Sequence, residues 1–146
     1  MMKCMEKIDK NETLVCENLK DFSEVLKREK LNDVYAVDEK GNGGANHRYI
    51  VSKSEETIWT CGNNTIGVLE DIQFQNGPRN SEGSQHGILD TDLLEIVRHR
   101  MQCFQAGPFA TDYNDKALEH IELALMYMNR RVEDRIERNV LGTNKK

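Results

Sequence analysis

The sequence predicts an α+β protein: a small antiparallel β-sheet followed by a long antiparallel helical hairpin, with a short N-terminal helix. Three observations predict it. Between residues 33 and 75 the apolar residues fall in short β-branched or aromatic runs broken by turn formers. From Asp90 onward they recur at three- and four-residue spacing through two long stretches. A Gly107-Pro108 pair separates those stretches, and proline cannot continue a helix.

Residues 1–32 are densely charged, with one amphipathic segment in which Val15, Leu19, Phe22 and Leu26 share a helical face. They read as a short helical appendage. Residues 33–146 read as a single domain, with the sheet in 33–75, a connecting loop in 76–89 and the helical hairpin in 90–140. Strands are expected at Val34–Val37, Tyr49–Val51, Thr57–Cys61 and Val68–Phe74, with Gly62-Asn63-Asn64 as a turn. The loop from Asp38 to Asn46 is glycine-rich, but its twelfth position is Tyr49 rather than a bidentate acid, which excludes a calcium loop. It also lacks the Lys-Ser/Thr ending of a phosphate loop. A flexible hairpin tip is expected.

The connection from Asn76 to Gly87 is polar and rich in Gly and Ser, a texture often put to functional use. In the first helix Leu93, Leu94, Val97, Met101 and Phe104 form one stripe, with Asp90 or Asp92 as the expected N-cap. The second is expected from about Asn114 to about Asn139, with Leu118, Ile121, Leu125, Met128, Val132 and Ile136 along one side. At roughly 15 and roughly 26 residues, the second helix overhangs the first by about 16 Å. Val132 and Ile136 lie in that overhang, so the sheet or another subunit must cover them. Self-association is the expectation, and it creates clefts between chains where small ligands can sit.

Composition excludes several classes. A net charge of −5 argues against binding a nucleic-acid polymer, which needs a basic surface. Any anionic ligand must meet a local cluster of cations, which favours a small molecule. The four cysteines, Cys4, Cys16, Cys61 and Cys103, form no C-x-x-C pair and the four histidines are scattered, so spacing supports no metal site. No leader-like apolar segment and no membrane-length run are visible, and free thiols in a reducing cytosol are expected.

Arg131, Arg135 and Arg138 stand at i, i+4 and i+7, with Tyr127 one turn earlier on the same side. Arginine fits phosphate by bidentate hydrogen bonds, and an aromatic ring can stack on a nucleobase. The same spacing also fits a solvated helix end, where cations complement the helix dipole and Asp134 pairs with Arg138. By pattern Phe104 is a core residue, Asn114 a helix N-cap and Arg79 an exposed turn residue. His86 and His99 have no Ser or Cys partner at a recognisable spacing, so no catalytic centre is expected and the chain reads as a non-enzyme.

With these residues in view, Phe74-Gln75-Asn76-Gly77-Pro78-Arg79, Phe104-Gln105-Ala106-Gly107-Pro108-Phe109 and the ending Arg131-x3-Arg135-x2-Arg138-x-Val140-x-Gly142-Thr143 together resemble the Thoeris anti-defence sponge family of phages. The hairpin is similar to that of the phage sponges that counter cyclic-oligonucleotide (CBASS) signalling. The resemblance spans roughly residues 33–143. It implies a phage protein acting in the cytoplasm of the infected bacterial host, which sequesters without cleaving a cyclic ADP-ribose isomer (glycocyclic ADP-ribose) made by a TIR-domain enzyme. It implies no cofactor, assembly through the helices into dimers and often hexamers, and in some members cyclic di- or trinucleotides at separate sites. By the same resemblance Phe104 would stack on adenine and Asn114 would hydrogen-bond the ligand. Arg79 would contact a pyrophosphate or ribose, and Arg131 and Arg135 would supply charge to phosphates there or in a second pocket. The rivals are an enzyme that degrades the same nucleotide and a hairpin module that binds a host protein.

Overall fold

The structure, a computed structural model, describes residues 31–53 and 68–146 in full, and otherwise the backbone of residues 6–7, 17–18, 59–61 and 64–66. The chain divides into two compact units, Met1–Asn76 and Gly77–Lys146. The first carries the strands and the second the helices, so the α+β architecture expected from the sequence is what is found.

In the first unit the strands are β1 (Glu6–Lys7), β2 (Glu17–Asn18), β3 (Asn32–Ala36), β4 (Arg48–Lys53), β5 (Trp59–Cys61), β6 (Asn64–Ile66) and β7 (Val68–Gln73). They form two antiparallel sheets, ordered β2-β3-β4-β7 and β1-β5-β6. A single sheet was expected. The second sheet exists because Cys61 pairs with Asn64, so the chain doubles back inside a stretch that reads only as a turn. The helix expected over Val15–Leu26 lies outside the described residues except for Glu17–Asn18, which pair as a strand with β3.

The larger sheet holds the core. Ala36, Val37 and Ile50 are each 1% exposed, with Tyr35 and Val68 packed against Val37 and Ile50. Full burial of an isoleucine side chain contributes about 1.5–3 kcal/mol, so Ile50 is the strongest single anchor of β4. Ile50 and Ser52, two apart on β4, are both buried, as the period of a strand requires. Beside them Tyr49 meets Phe74 edge to face, with ring centres 5.6 Å apart. Arg48 of β4 grips Asp71 of β7 through two hydrogen bonds of 3.1 and 2.7 Å. That hydrogen bond holds the Arg48 guanidinium above its ordinary pKa.

The glycine-rich β3–β4 connection is anchored, in contrast to the flexible tip expected. The Asp38 carboxylate accepts from the His47 backbone N–H at 2.9 Å, and Asn46 Nδ2 donates to the Asp38 carbonyl at 2.6 Å. At the tip, Asn42 Nδ2 donates to Asn76 Oδ1 at 2.9 Å. A Cβ at Gly41 would stand 2.9 Å from Asn76 Nδ2, so a side chain there would displace the Asn76 amide that Asn42 bonds.

In the second unit α1 spans Asp90–Gln105 and α2 spans Asp112–Glu137. At 16 and 26 residues they differ by ten, an overhang of about 15 Å. Arg98 ties them together, donating from Nε to Glu122 of α2 at 3.0 Å and from Nη1 to Glu95 of its own helix at 3.4 Å. Between the helices lie the half-buried Leu93, Leu94 and Met101 facing Leu118, Ile121, Leu125 and Met128. Neither helix has a fully buried residue. Two helices alone share one seam, and one seam cannot enclose a side chain on every side.

Both helix starts differ from expectation. The N-cap of α1 is Leu89, and Asp92 reaches back to accept from its backbone N–H at 2.8 Å. Asp90 lies within the first turn, where its charge complements the helix dipole. The N-cap of α2 is Thr111, whose Oγ1 accepts from the Asn114 backbone N–H at 3.0 Å. Asn114 is therefore capped rather than capping.

Candidate functional site

Phe104 sits in the last turn of α1 and Asn114 in the first turn of α2, so both flank the turn that joins the helices. Side chains on either flank fasten that turn. Gln105 Oε1 accepts from the Thr111 N–H at 2.9 Å, and Asn114 Nδ2 donates to the Phe109 carbonyl at 3.0 Å. The Gly107 and Ala110 N–H groups donate to the carbonyls of Phe104 and Gly107. A break that reads as Gly-Pro in the sequence is thus a hydrogen-bonded corner with fixed ends.

Phe104 is 39% exposed, contrary to its reading as a core residue. The Arg100 guanidinium lies 5.5 Å from its ring centre, within cation–π range. Phe109 (73% exposed) and Tyr113 (88%) stand at the same corner. Three accessible aromatic rings therefore cluster along the chain around one rigid turn, a surface suited to stacking on a flat ligand. Phe109 and Tyr113 were missed in the sequence, although an aromatic residue directly after Gly-Pro at a helix break is a readable signal.

The arginines separate into different roles. Arg138 is paired with Asp134, Nη2 to Oδ2 at 2.7 Å, which is the solvated-face arrangement. Arg130 bridges Glu133 and Glu137, and the hydrogen bond to Glu133 first, then that to Glu137, raises its pKa. Arg135 is engaged by the tail. Its Nη2 donates to the Val140 and Thr143 carbonyls at 3.0 and 2.8 Å, and its Nη1 to the Lys145 carbonyl at 3.2 Å. These bonds satisfy carbonyls beyond the helix end, where Asn139 takes a left-handed conformation at φ 54°. Arg131 makes no hydrogen bond or ion pair among the described residues, and Tyr127 one turn earlier is 65% exposed. Arg79, in the turn after Pro78, is exposed and likewise without a hydrogen bond or ion pair among the described residues.

Seventeen helical steps of one continuous helix separate Asn114 from Arg131, a rise of about 26 Å. Within one chain these two residues cannot hold the same small molecule. No hydrogen bond, ion pair or ring contact joins Arg79 to Phe104 or Asn114 among the described residues.

The apolar stripe of α2 continues past the seam, as its sequence implies. Val132 is 38% and Ile136 56% exposed, and Val97 (43%) and Ile96 (58%) are exposed on α1. No other part of the helical unit covers them. Among the described residues no helix is long and apolar enough to cross a membrane, and no group of three or more His, Cys, Asp or Glu is placed to hold a metal. One pairing does depart from the sequence reading. His99 Nε2 lies 3.8 Å from Cys103 Sγ, one helical turn apart on α1. No carboxylate hydrogen-bonds His99 among the described residues, so the pair lacks the orienting group of a nucleophilic triad.

Residues 67–133 match the family described as the Acb2/Tad1 hairpin domain. Over 80 residues the chain is 38% identical to a protein named Thoeris anti-defense 1 from Bacillus phage SBSphiJ7, covering 55% of this chain and 56% of that relative. The chain thus spans little more than half the length of the relative it matches. The matched family stretch is narrower than the 33–143 over which the motifs resemble that family. It contains Arg79, Phe104, Asn114 and Arg131, and stops short of Arg135. Residues 67–133 are similar to the Acb2/Tad1 hairpin domain, and over 80 residues the chain is similar to a Thoeris anti-defence protein.

Proposed function

We propose that the protein is a phage anti-defence sponge. It acts in the cytoplasm of the infected bacterium, binding and holding without cleavage a cyclic ADP-ribose isomer, glycocyclic ADP-ribose, made by a TIR-domain Thoeris enzyme. The single observation that carries this reading is the division of the site along α2. An exposed aromatic corner with Asn114 stands at one end, and Arg131, unpaired among the described residues, stands about 26 Å away at the other. In a symmetric pair with the α2 helices antiparallel, the Arg131 end of one copy lies beside the Phe104–Asn114 corner of the other. A two-fold axis then makes two equal clefts, each with a ring for the base, an amide for its edge and a cation for the phosphates. Pairing along α2 also covers Val132 and Ile136. Higher assembly to a hexamer, and a second pocket for cyclic di- or trinucleotides, belong to the same reading.

Arg79 would add charge from the polar connection. Arg135 enters the cleft only if the tail releases it or through its remaining N–H groups, so it ranks behind Arg131. Capture rather than catalysis is favoured because His99, which lies against the Cys103 thiol, has no orienting acid among the described residues.

Titration calorimetry with cyclic ADP-ribose isomers, against linear ADP-ribose as control, tests the proposal. Saturable binding of a cyclic isomer at two sites per dimer is expected. No heat with any cyclic nucleotide, together with an unchanged melting temperature, would instead favour a hairpin module that docks on a protein.

A further inference from the structure

We propose that His99 and Cys103 form a chelating site for a thiophilic divalent cation, with Zn²⁺ the best fit, distinct from the nucleotide cleft. No C-x-x-C spacing announces it, but one helical turn places two metal-binding side chains on the same face of α1. Their Nε2 and Sγ atoms stand 3.8 Å apart. A tetrahedral zinc with Zn–S of about 2.3 Å and Zn–N of about 2.0–2.1 Å needs its sulfur and nitrogen ligands about 3.6 Å from each other. The pair is therefore already within about 0.2 Å of the required bite, and a small rotamer adjustment closes the difference.

Access and chemistry agree with this. Cys103 is a free, exposed thiol and His99 is exposed, so an ion reaches both from solvent. The hydrogen bond between them shows the two side chains turned toward each other on the helix surface. On binding, Cys103 loses its proton to solvent and ligates as thiolate, while His99 ligates as neutral imidazole. Thiolate with imidazole is a donor set that suits zinc over magnesium or calcium. Two protein ligands leave two coordination positions, filled by water or by donors of a second copy. The site is open and exchangeable rather than a closed structural centre.

Cobalt(II) is the probe, in a full-length chain carrying Cys4→Ser, Cys16→Ser and Cys61→Ser so that Cys103 is the remaining thiol. A thiolate-to-cobalt charge-transfer band in the near ultraviolet is expected on titration, bleached by added Zn²⁺. It should be lost on Cys103→Ser and lost at the same cobalt concentration on His99→Gln. Far-ultraviolet circular dichroism shows whether each variant keeps its helices, as these exposed positions should allow. Absence of the band in the three-serine chain, or its full retention on His99→Gln, overturns the proposal.

Discussion

Replacing Phe104 by alanine removes the ring that ends α1 without touching the hydrogen bonds of the corner, which run through Gln105, Thr111 and Asn114. Phe104 is 39% exposed. A phenylalanine presents about 200 Å² in the open chain, so roughly 80 Å² of ring remains for a stacked base to cover. At about 25 cal/mol per Å² that cover contributes about 2 kcal/mol, or a dissociation constant about thirtyfold weaker on its loss. The figure falls within the roughly 1–3 kcal/mol known for a base stacked on an aromatic residue. The buried part of the ring also stabilises the hairpin, so Phe104→Leu is the necessary companion: it keeps apolar volume but has no flat face. Calorimetry measures affinity, and light scattering with circular dichroism measures assembly and helix content. Both variants should lose cyclic ADP-ribose binding while Phe104→Leu keeps the wild-type mass. Wild-type affinity in Phe104→Leu, or dissolution of the oligomer by either variant, would return Phe104 to a packing role and refute the reasoning.

The other predictions concern assembly, capping and the two arginines. Val132→Gln with Ile136→Gln places amides on the uncovered stripe; light scattering should show the assembly fall to smaller species with helix content retained, and an unchanged mass would mean that α2 is not the interface. Thr111→Ala removes the α2 cap and should cost about 1 kcal/mol, read as a melting temperature lower by roughly 3–5 °C; no shift would mean that Gln105 and Asn114 alone hold the corner. Arg131→Gln should weaken capture and flatten its dependence on ionic strength, since in the proposed cleft it would remove a cation from the phosphates. Arg135→Gln should instead speed amide hydrogen exchange across residues 140–145, and a loss of affinity equal to that of Arg131→Gln would show that the tail does not occupy it.

Much of this architecture was legible because helices write their period into the chain. The stripes from Leu93 to Met101 and from Leu118 to Met128 fall where the seam lies, and the overhang follows from length alone. What the period does not show is where a seam ends. Val97 and Phe104 lie on the same apolar stripe but turn out of a two-helix contact, so a residue that patterns as core is accessible. Helix starts shifted for a local reason. Thr111 accepts the N–H of Asn114 itself, so the helix starts before the expected cap, and Asp92 works backward from inside the helix. The second sheet was hidden by its brevity, since Thr57–Cys61 read as a strand but Asn64 read as part of a turn rather than as the start of its three-residue partner. Arg135 illustrates the limit of spacing arguments: Arg131, Arg135 and Arg138 form one row in sequence, yet a tail, an acid and open solvent give them three different surroundings. The His99–Cys103 proximity was readable from one-turn spacing, but a search for adjacent cysteines passes over it.

A sponge, as proposed, holds the nucleotide and returns it unaltered. The protein is incubated with glycocyclic ADP-ribose, freed of unbound ligand, heat-denatured, and the supernatant is analysed by mass spectrometry. Recovery of the intact cyclic nucleotide in proportion to the protein is the predicted result; recovery of linear ADP-ribose products alone would identify an enzyme and contradict the account.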